Sequence, residues 1–288
     1  MARDAAHEVD RVIGRLRGIG RRLPPGDGVA VFNRMYLTVT EAVRRRLTPP
    51  DAGTGPAAAE PGFAGPGVGN PADGGPAQRP PYFADPAAMA ELDVLFARRY
   101  LLAVDADAAG RRPPACWRPL FELRAHPGVH PLQFAVAGMT AHIQHDLPLA
   151  VLDTCRRLGC APERLADDYR RINGLLAAVE TGVREQLMPG PDALERAEPL
   201  THMVGAWSVD AARDAAWSSV GALWELRAVP CAAAALATAL DASVGLLGRA
   251  LLTPLGLAPP GLHGPAEPQS RTAGRFPGAR NRPAVGRA

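Results

Sequence analysis

Leu132-Gln-Phe-Ala-Val-Ala-Gly138-Met-Thr-Ala-His142-Ile-Gln-His145-Asp146-Leu-Pro148-Leu-Ala-Val-Leu-Asp153-Thr-Cys155-Arg-Arg-Leu158 is the longest continuous helical pattern in the chain, and its reading decides the fold. Apolar residues recur in it three and four apart, the period of an α-helix, and they do not alternate as a half-buried strand requires. Pro148 has no backbone N–H, and its ring crowds the carbonyl four residues earlier. A kink or a split is therefore predicted there.

The same period repeats on both sides. Val9, Val12, Ile13, Leu16 and Ile19 form one apolar face, and Phe32, Met35, Tyr36, Val39 and Val43 form another. Asp85 followed by Pro86 reads as a helix start, an N-cap acceptor and then a residue with no N–H to leave unpaired. Met89, Leu92, Leu95, Phe96 and Tyr100 continue it at helical spacing. A short amphipathic helix is expected over 117–123. Pro162 opens a stretch striped with Leu165, Tyr169, Ile172 and Leu176. A tryptophan-rich helix is expected over 200–228, and an Ala/Leu helix over 231–252 that Pro254 stops. Strand and hairpin signals are almost absent. The fold class predicted is all-α, an irregular bundle of about seven helices.

Gly and Pro, 30 of each in 288 residues, are too many for such a bundle unless they cluster, and they do. Residues 48–81 hold eight glycines and nine prolines with no apolar period, so they read as a disordered insertion. Residues 261–288 read as a disordered tail made basic by Arg271, Arg275, Arg280, Arg282 and Arg287. The rest, 1–260, is expected to be a single helical domain around the insertion. The net charge of +3 comes from that tail, so no specific nucleic-acid partner is expected. All 32 basic residues are arginine, which excludes Schiff-base chemistry, a lysine base and a Walker lysine. No secretory segment is visible, and the most apolar run, 229–240, is closed by Asp241 short of the ~20 residues of a membrane span. Cys116, Cys155, Cys160 and Cys231 lack the tight pairing of a zinc–cysteine site and are expected to be free thiols in a cytoplasmic protein.

The chemistry concentrates in the opening stretch. With His142 at zero and about 100° per residue, Asp146 falls at about +40°, Asp153 at about +20° and His145 at about −60°. One arc of polar groups thus borders the apolar face. His142 and Asp146, four apart, suit one divalent ion such as zinc, iron or manganese, since imidazole and carboxylate are both accepted ligands. His145 is a third ligand or a general base, and His202 a further ligand. His126, His130, Asp167, Asp168 and Asp210 are other sources of ligands. The competing reading makes His142 and Asp146 a hydrogen-bonded pair that packs helices. Asp168 and Asn173 are candidates for a role toward the His142 helix, with Asp168 orienting or deprotonating a water. Arg213, beside Asp210, Trp217 and Trp224, is a candidate for neutralising an anionic transition state.

Asp85-Pro86, Phe96-Ala-Arg-Arg-Tyr100, Pro114-Ala-Cys116-Trp117, Gly138 through Leu147, Asp168, Asn173 and Arg213-Asp-Ala-Ala-Trp217 together resemble an uncharacterised, mainly actinobacterial family, domain of unknown function 5995. The resemblance runs from Val29 to about Leu252 and implies no activity. The family usually has Asn where Gln144 stands. His142 and Asp146 are also distantly similar to the His-x-x-x-Asp fragment of helical zinc-dependent phospholipases C, which implies a metal role for the pair. Two functions follow. One is an enzyme acting on a small-molecule substrate, best a metal-dependent hydrolase. The other is a non-catalytic helical module that binds a ligand or a protein. A deep pocket where His142 meets Trp217 and Arg213 favours the first, and a His142 bonded only to protein groups favours the second.

Overall fold

The computed structural model describes residues 2–47, 81–187 and 208–254. The expected insertion (apart from Pro81), the tail, His202 and Trp207 lie outside the described residues. The described chain is all-α. Its helices are α1 (Ala2–Arg22), α2 (Gly28–Leu47), α3 (Pro86–Ala108), α4 (Arg118–Leu123), α5 (Pro131–Ala141), α6 (Leu147–Leu158), α7 (Glu163–Leu187), α8 (Val209–Glu225) and α9 (Pro230–Leu251). A π-helical turn, His142–Asp146, joins α5 to α6, so these form one interrupted rod.

The apolar faces read from the sequence are the ones buried. Val9, Leu16 and Ile19 of α1 pack on Phe32, Met35, Tyr36 and Val43 of α2, and this layer lies on Met89, Leu92 and Tyr100 of α3. Asp85 caps α3, accepting the Ala88 amide at 3.0 Å, with Pro86 at the first helical position. Asn33, buried in α2, donates to the Leu16 carbonyl at 2.9 Å and so gives the α1–α2 contact one polar anchor.

The interruption at His142–Asp146 has a local cause. Pro148 cannot donate to the Gln144 carbonyl, and its ring pushes that carbonyl aside. The turn before it widens, and the Leu147 amide bonds the His142 carbonyl five residues back. This departs from the uniform 100° spacing assumed from sequence; His142, His145 and Asp146 of the proposed arc are bonded together, and Asp153 is not part of their network. Asp153 instead pairs with Arg99 and Arg156.

Helix α9 differs from the sequence reading in length. Its apolar run continues through Asp241 to Leu251, and by length and composition it is the one described helix that could cross a membrane. It is fixed to the rest of the protein at definite points. Asp241 accepts the amides of Ala115 and Cys116 at 2.8 and 2.9 Å. One turn on, Gly245 lies so close to the Ala115 carbonyl that a Cβ there would sit 2.6 Å from the oxygen. At the end, Gln133 donates to the carbonyls of Leu251 and Thr253 at 2.9 and 2.8 Å.

Candidate functional site

Asp146 is the hub of the π-helical turn. Its Oδ2 accepts from His142 Nδ1 at 3.0 Å and from Trp117 Nε1 at 3.0 Å, and its Oδ1 accepts from His145 Nδ1 at 2.8 Å. Burial works to raise this carboxyl, but the hydrogen bonds from the two histidines outweigh it and hold it below the ordinary carboxylate range. His142 is pulled the other way from a charged imidazole: burial lowers it, against the upward pull of Asp146. The network therefore assigns an ionised Asp146 and a neutral His142 with its proton on Nδ1. Both histidines turn Nδ1 to the same carboxylate, which leaves both Nε2 atoms facing away from it. The widened turn accommodates this, since residues 142 and 145 both reach forward to residue 146.

The two Nε2 atoms point to different places. His145 Nε2 lies 3.7 Å from Asp241 Oδ1, and Cys116 Sγ completes a group whose ligand atoms are all within 4.8 Å of one another. Cys116 comes from the turn before α4, His145 from the π turn and Asp241 from α9. Cys116 and His145 are buried, whereas the Asp241 side chain is 26% exposed, so the group opens to solvent on that side. Burial raises the Cys116 thiol first, and the charges of Asp146 and Asp241 push it further. Asp241 stays below the ordinary range because the Cys116 and Ala115 amides overcome the effect of burial. Two ionised carboxylates thus flank the thiol, and no arginine among the described residues pairs with either. The donor set suits a divalent ion. Bonds of about 2.0–2.3 Å in a tetrahedron place ligand atoms about 3.3–3.8 Å apart. A cation would also offset the local negative charge and lower the thiol.

On the other side of the hub, His142 lines a partly open cavity of about 80 Å³ bounded by α2, α3, α5, the π turn, α6, α7 and α8, and its buried Nε2 has no hydrogen-bond partner. The imidazole is stacked on Phe96, with ring centroids 3.6 Å apart, and is met edge-on by Tyr36 at 4.4 Å. Arg213 lines the same cavity, but its guanidinium is held: Nε donates to Asn173 Oδ1 and Nη2 to the Tyr169 carbonyl, both at 2.6 Å. Its plane lies over the Tyr169 ring at 4.0 Å. Trp217 does not line the cavity; it packs against Tyr169 with centroids 4.6 Å apart.

The residues proposed from sequence therefore fall in separate places. His142 and Asp146 are joined by a hydrogen bond, and His145 is the one of the three that reaches other ligand-type atoms. Asp168 is an anchor for the chain entering α3. Its Oδ1 and Oδ2 each accept an amide at 2.8 Å, from Ala84 and Asp85, and Oδ1 also pairs with Arg171 at 2.9 Å. Asn173 serves Arg213 and not the His142 helix. Among the other possible ligands, His130 is the N-cap of α5, accepting the Leu132 amide at 3.2 Å, and His126 accepts the Gly128 amide at 3.1 Å. Asp167 pairs with Arg170 on the surface, and Asp210 is exposed in the first turn of α8. Sequence reasoning missed Cys116 and Asp241. The signal for Asp241 was present: it is the single acid in a long Ala/Leu helix, with Gly245 and Gly248 one and two turns on. All four cysteines are free thiols, as expected, but Cys116 has a setting that spacing alone does not reveal.

An all-α protein with a buried His/Asp/Cys group able to take a divalent ion is the class that fold and site define. Within that class, residues 9–57 and 76–254 match the family described as a family of unknown function (DUF5995), and the chain belongs to it. No curated protein and no solved structure matches the chain significantly.

Proposed function

We propose that the protein holds one divalent ion, zinc foremost with iron or manganese as alternatives, at Cys116, His145 and Asp241, and uses it to hydrolyse a small molecule. The observation that carries this reading is the convergence of three ligand atoms from three distant segments, with the outer nitrogen of the histidine already bonded to a buried carboxylate. A bound ion would supply Lewis acidity and a water made acidic enough to react near neutral pH. The chain's own residues do the positioning. Asp146 fixes the His145 ring and tautomer, Trp117 Nε1 fixes Asp146, and the Ala115 and Cys116 amides fix Asp241. Three protein ligands leave a fourth position on the exposed side for water or substrate. In this reading His142 and Asp146 support the site and do not ligate, so the likeness to the phospholipase His-x-x-x-Asp fragment stops at spacing.

The test is elemental analysis of protein purified without an affinity tag, alongside assays with chromogenic carboxylic and phosphate esters. One equivalent of transition metal and a hydrolysis rate lost together in His145→Ala and Asp241→Asn, with helix content intact, would support the proposal. Wild-type protein that neither contains nor takes up zinc, iron or manganese would refute it. Full metal occupancy with no hydrolysis would favour the second reading, a ligand-binding module with a structural ion. That reading is favoured by one observation: His142 lines a cavity that includes none of the Cys116 group and is bonded only to protein.

A further inference from the structure

We infer that the cavity between α2, α3, α7 and α8 binds an apolar monocarboxylate, a short aliphatic or single-ring acid, with its head on Arg213 and its body among the apolar walls. The inference does not rest on the metal site, since Cys116, His145 and Asp241 are not among the residues lining this cavity. The observation behind it is a buried cation without a counter-ion. Arg213 is 4% exposed and lines the cavity, yet among the described residues no carboxylate forms an ion pair with it. Its two hydrogen bonds go to neutral oxygens, Asn173 Oδ1 from Nε and the Tyr169 carbonyl from Nη2. The carboxylates that act on it without bonding, those of Asp210 and Asp214, belong to exposed residues of its own helix. A charge taken out of water is costly unless an opposite charge meets it, so the partner this guanidinium lacks is an anion.

The guanidinium says what kind of anion. Nε and one Nη2 proton are committed, which leaves both Nη1 protons and the second Nη2 proton. Nη1 has no hydrogen bond among the described residues, and it is not one of the orphaned atoms sealed from water, so it keeps open surface. Nη1 and Nη2 together present the end-on fork that grips a carboxylate. One cation with one open fork suits a single negative charge, and it repels an ammonium head. The rest of the wall is aliphatic and aromatic, with Val39, Val43, Leu92, Phe96, Ile172 and Leu176 prominent, and this calls for an apolar body. Asp93 on α3 also lines the cavity, but it is not among the charges that act on Arg213, so it is not the missing counter-ion. Burial keeps its carboxyl uncharged up to about 7, so below that pH it does not repel the head. The size sets a limit. About 80 Å³ is about half of the ~150 Å³ that holds benzene in an engineered cavity. A small acid fits as flexible Met35 and Met89 shift and as its end reaches the open side, where Val39, Phe96 and Ile172 are half-buried.

The experiment uses the full-length protein at about pH 6, where Asp93 is uncharged, and four probes: hexanoate, hexanamide, hexylamine and acetate. Binding is read by calorimetry and ligand-observed NMR. Hexanoate is expected to bind at least about tenfold more tightly than hexanamide, its neutral isostere, and than acetate, which has the head without the body. Hexylamine is expected to bind more weakly than hexanamide. In Arg213→Met, hexanoate and hexanamide should come within about threefold of each other, while persisting hexanamide binding reports that the cavity has survived. Val39→Trp fills the open side and changes neither Arg213 nor its two partners, so it keeps the test decisive if Arg213→Met does not fold. It should weaken hexanoate and hexanamide alike by at least about tenfold, with helix content unchanged. The inference is overturned if hexanamide or acetate binds as tightly as hexanoate, or if no probe binds up to its solubility. A hexanoate preference that Arg213→Met retains, or hexanoate binding that Val39→Trp leaves unchanged, would overturn it as well, because the head or the body would then sit elsewhere.

Discussion

Replacing Asp93 by Asn should make the protein more stable at pH 8 and remove a pH dependence that wild type carries. Asp93 is half-buried, its Oδ2 has no partner, and burial alone pushes its carboxyl up to about 7 from an ordinary 3.8. The sign follows from proton linkage. Below about 4 the group is protonated in both the folded and the unfolded chain and contributes nothing. Between about 4 and 7 the folded chain holds a proton that the unfolded chain has lost, so stability falls as pH rises. Above about 7 both forms are ionised and the full penalty applies. At about 1.4 kcal/mol per tenfold change, the gap corresponds to ~4 kcal/mol, or ~2 kcal/mol if water entering the cavity screens the charge. Asn at this position keeps the shape and has no charge to bury. Urea unfolding of both proteins from pH 4 to pH 8 isolates the effect, because other titrating groups, the buried histidines included, cancel in the difference. The stability of Asp93→Asn relative to wild type should rise by ~2–4 kcal/mol across that range and level off above pH 7. A difference that stays flat within about 0.5 kcal/mol, or that falls with pH, would show that Asp93 is not a carboxyl held in an apolar cavity.

Gly245→Ala should cost about 1–3 kcal/mol, because its Cβ would meet the Ala115 oxygen at 2.6 Å and α9 must move away, taking Asp241 with it; thermal unfolding and a weaker zinc affinity measure the two consequences. Trp117→Phe removes the indole donor to the ionised Asp146, and a loss of about 1.5–3 kcal/mol in chemical denaturation is expected, together with looser zinc binding. Asp168→Ala should cost a similar ~1.5–3 kcal/mol by releasing the Ala84 and Asp85 amides, yet leave metal content unchanged, which separates an anchor from a site residue. Gly138→Ala should cost about 1–3 kcal/mol, since a Cβ there would lie 2.4 Å from the Phe32 ring, and differential scanning calorimetry would register the lower midpoint.

The helices and their inner faces were legible because each carries its own period. Val9 to Ile19 and Phe32 to Val43 announce a buried stripe without reference to any other part of the chain. The Asp85-Pro86 start of α3 was legible for the same reason, as cap and first turn are adjacent in sequence. The candidate site was legible in part. His142, His145 and Asp146 stood out as unusual on an apolar face, and all three are buried and bonded together. Their roles were not legible, because the π turn that Pro148 induces changes which atoms face which neighbour. Cys116 and Asp241 are 125 residues apart and meet only through packing of α9 on the turn before α4, a relation no spacing rule encodes. Asp93 sat in plain view as an acid between Leu92 and Val94 in an apolar stretch, and an unpaired acid at such a position is a usable signal for a lined cavity.

Titration of the tag-free protein with cobalt(II) under reducing conditions tests the assignment of Cys116, His145 and Asp241 as ligands most directly, because a cobalt–thiolate bond has a charge-transfer absorption that nitrogen and oxygen ligands lack. The account predicts that this absorption grows to one equivalent of cobalt, is abolished in Cys116→Ser, survives in Cys160→Ser and is displaced by zinc. Cobalt that binds without the absorption, or an absorption that Cys116→Ser retains, would contradict it.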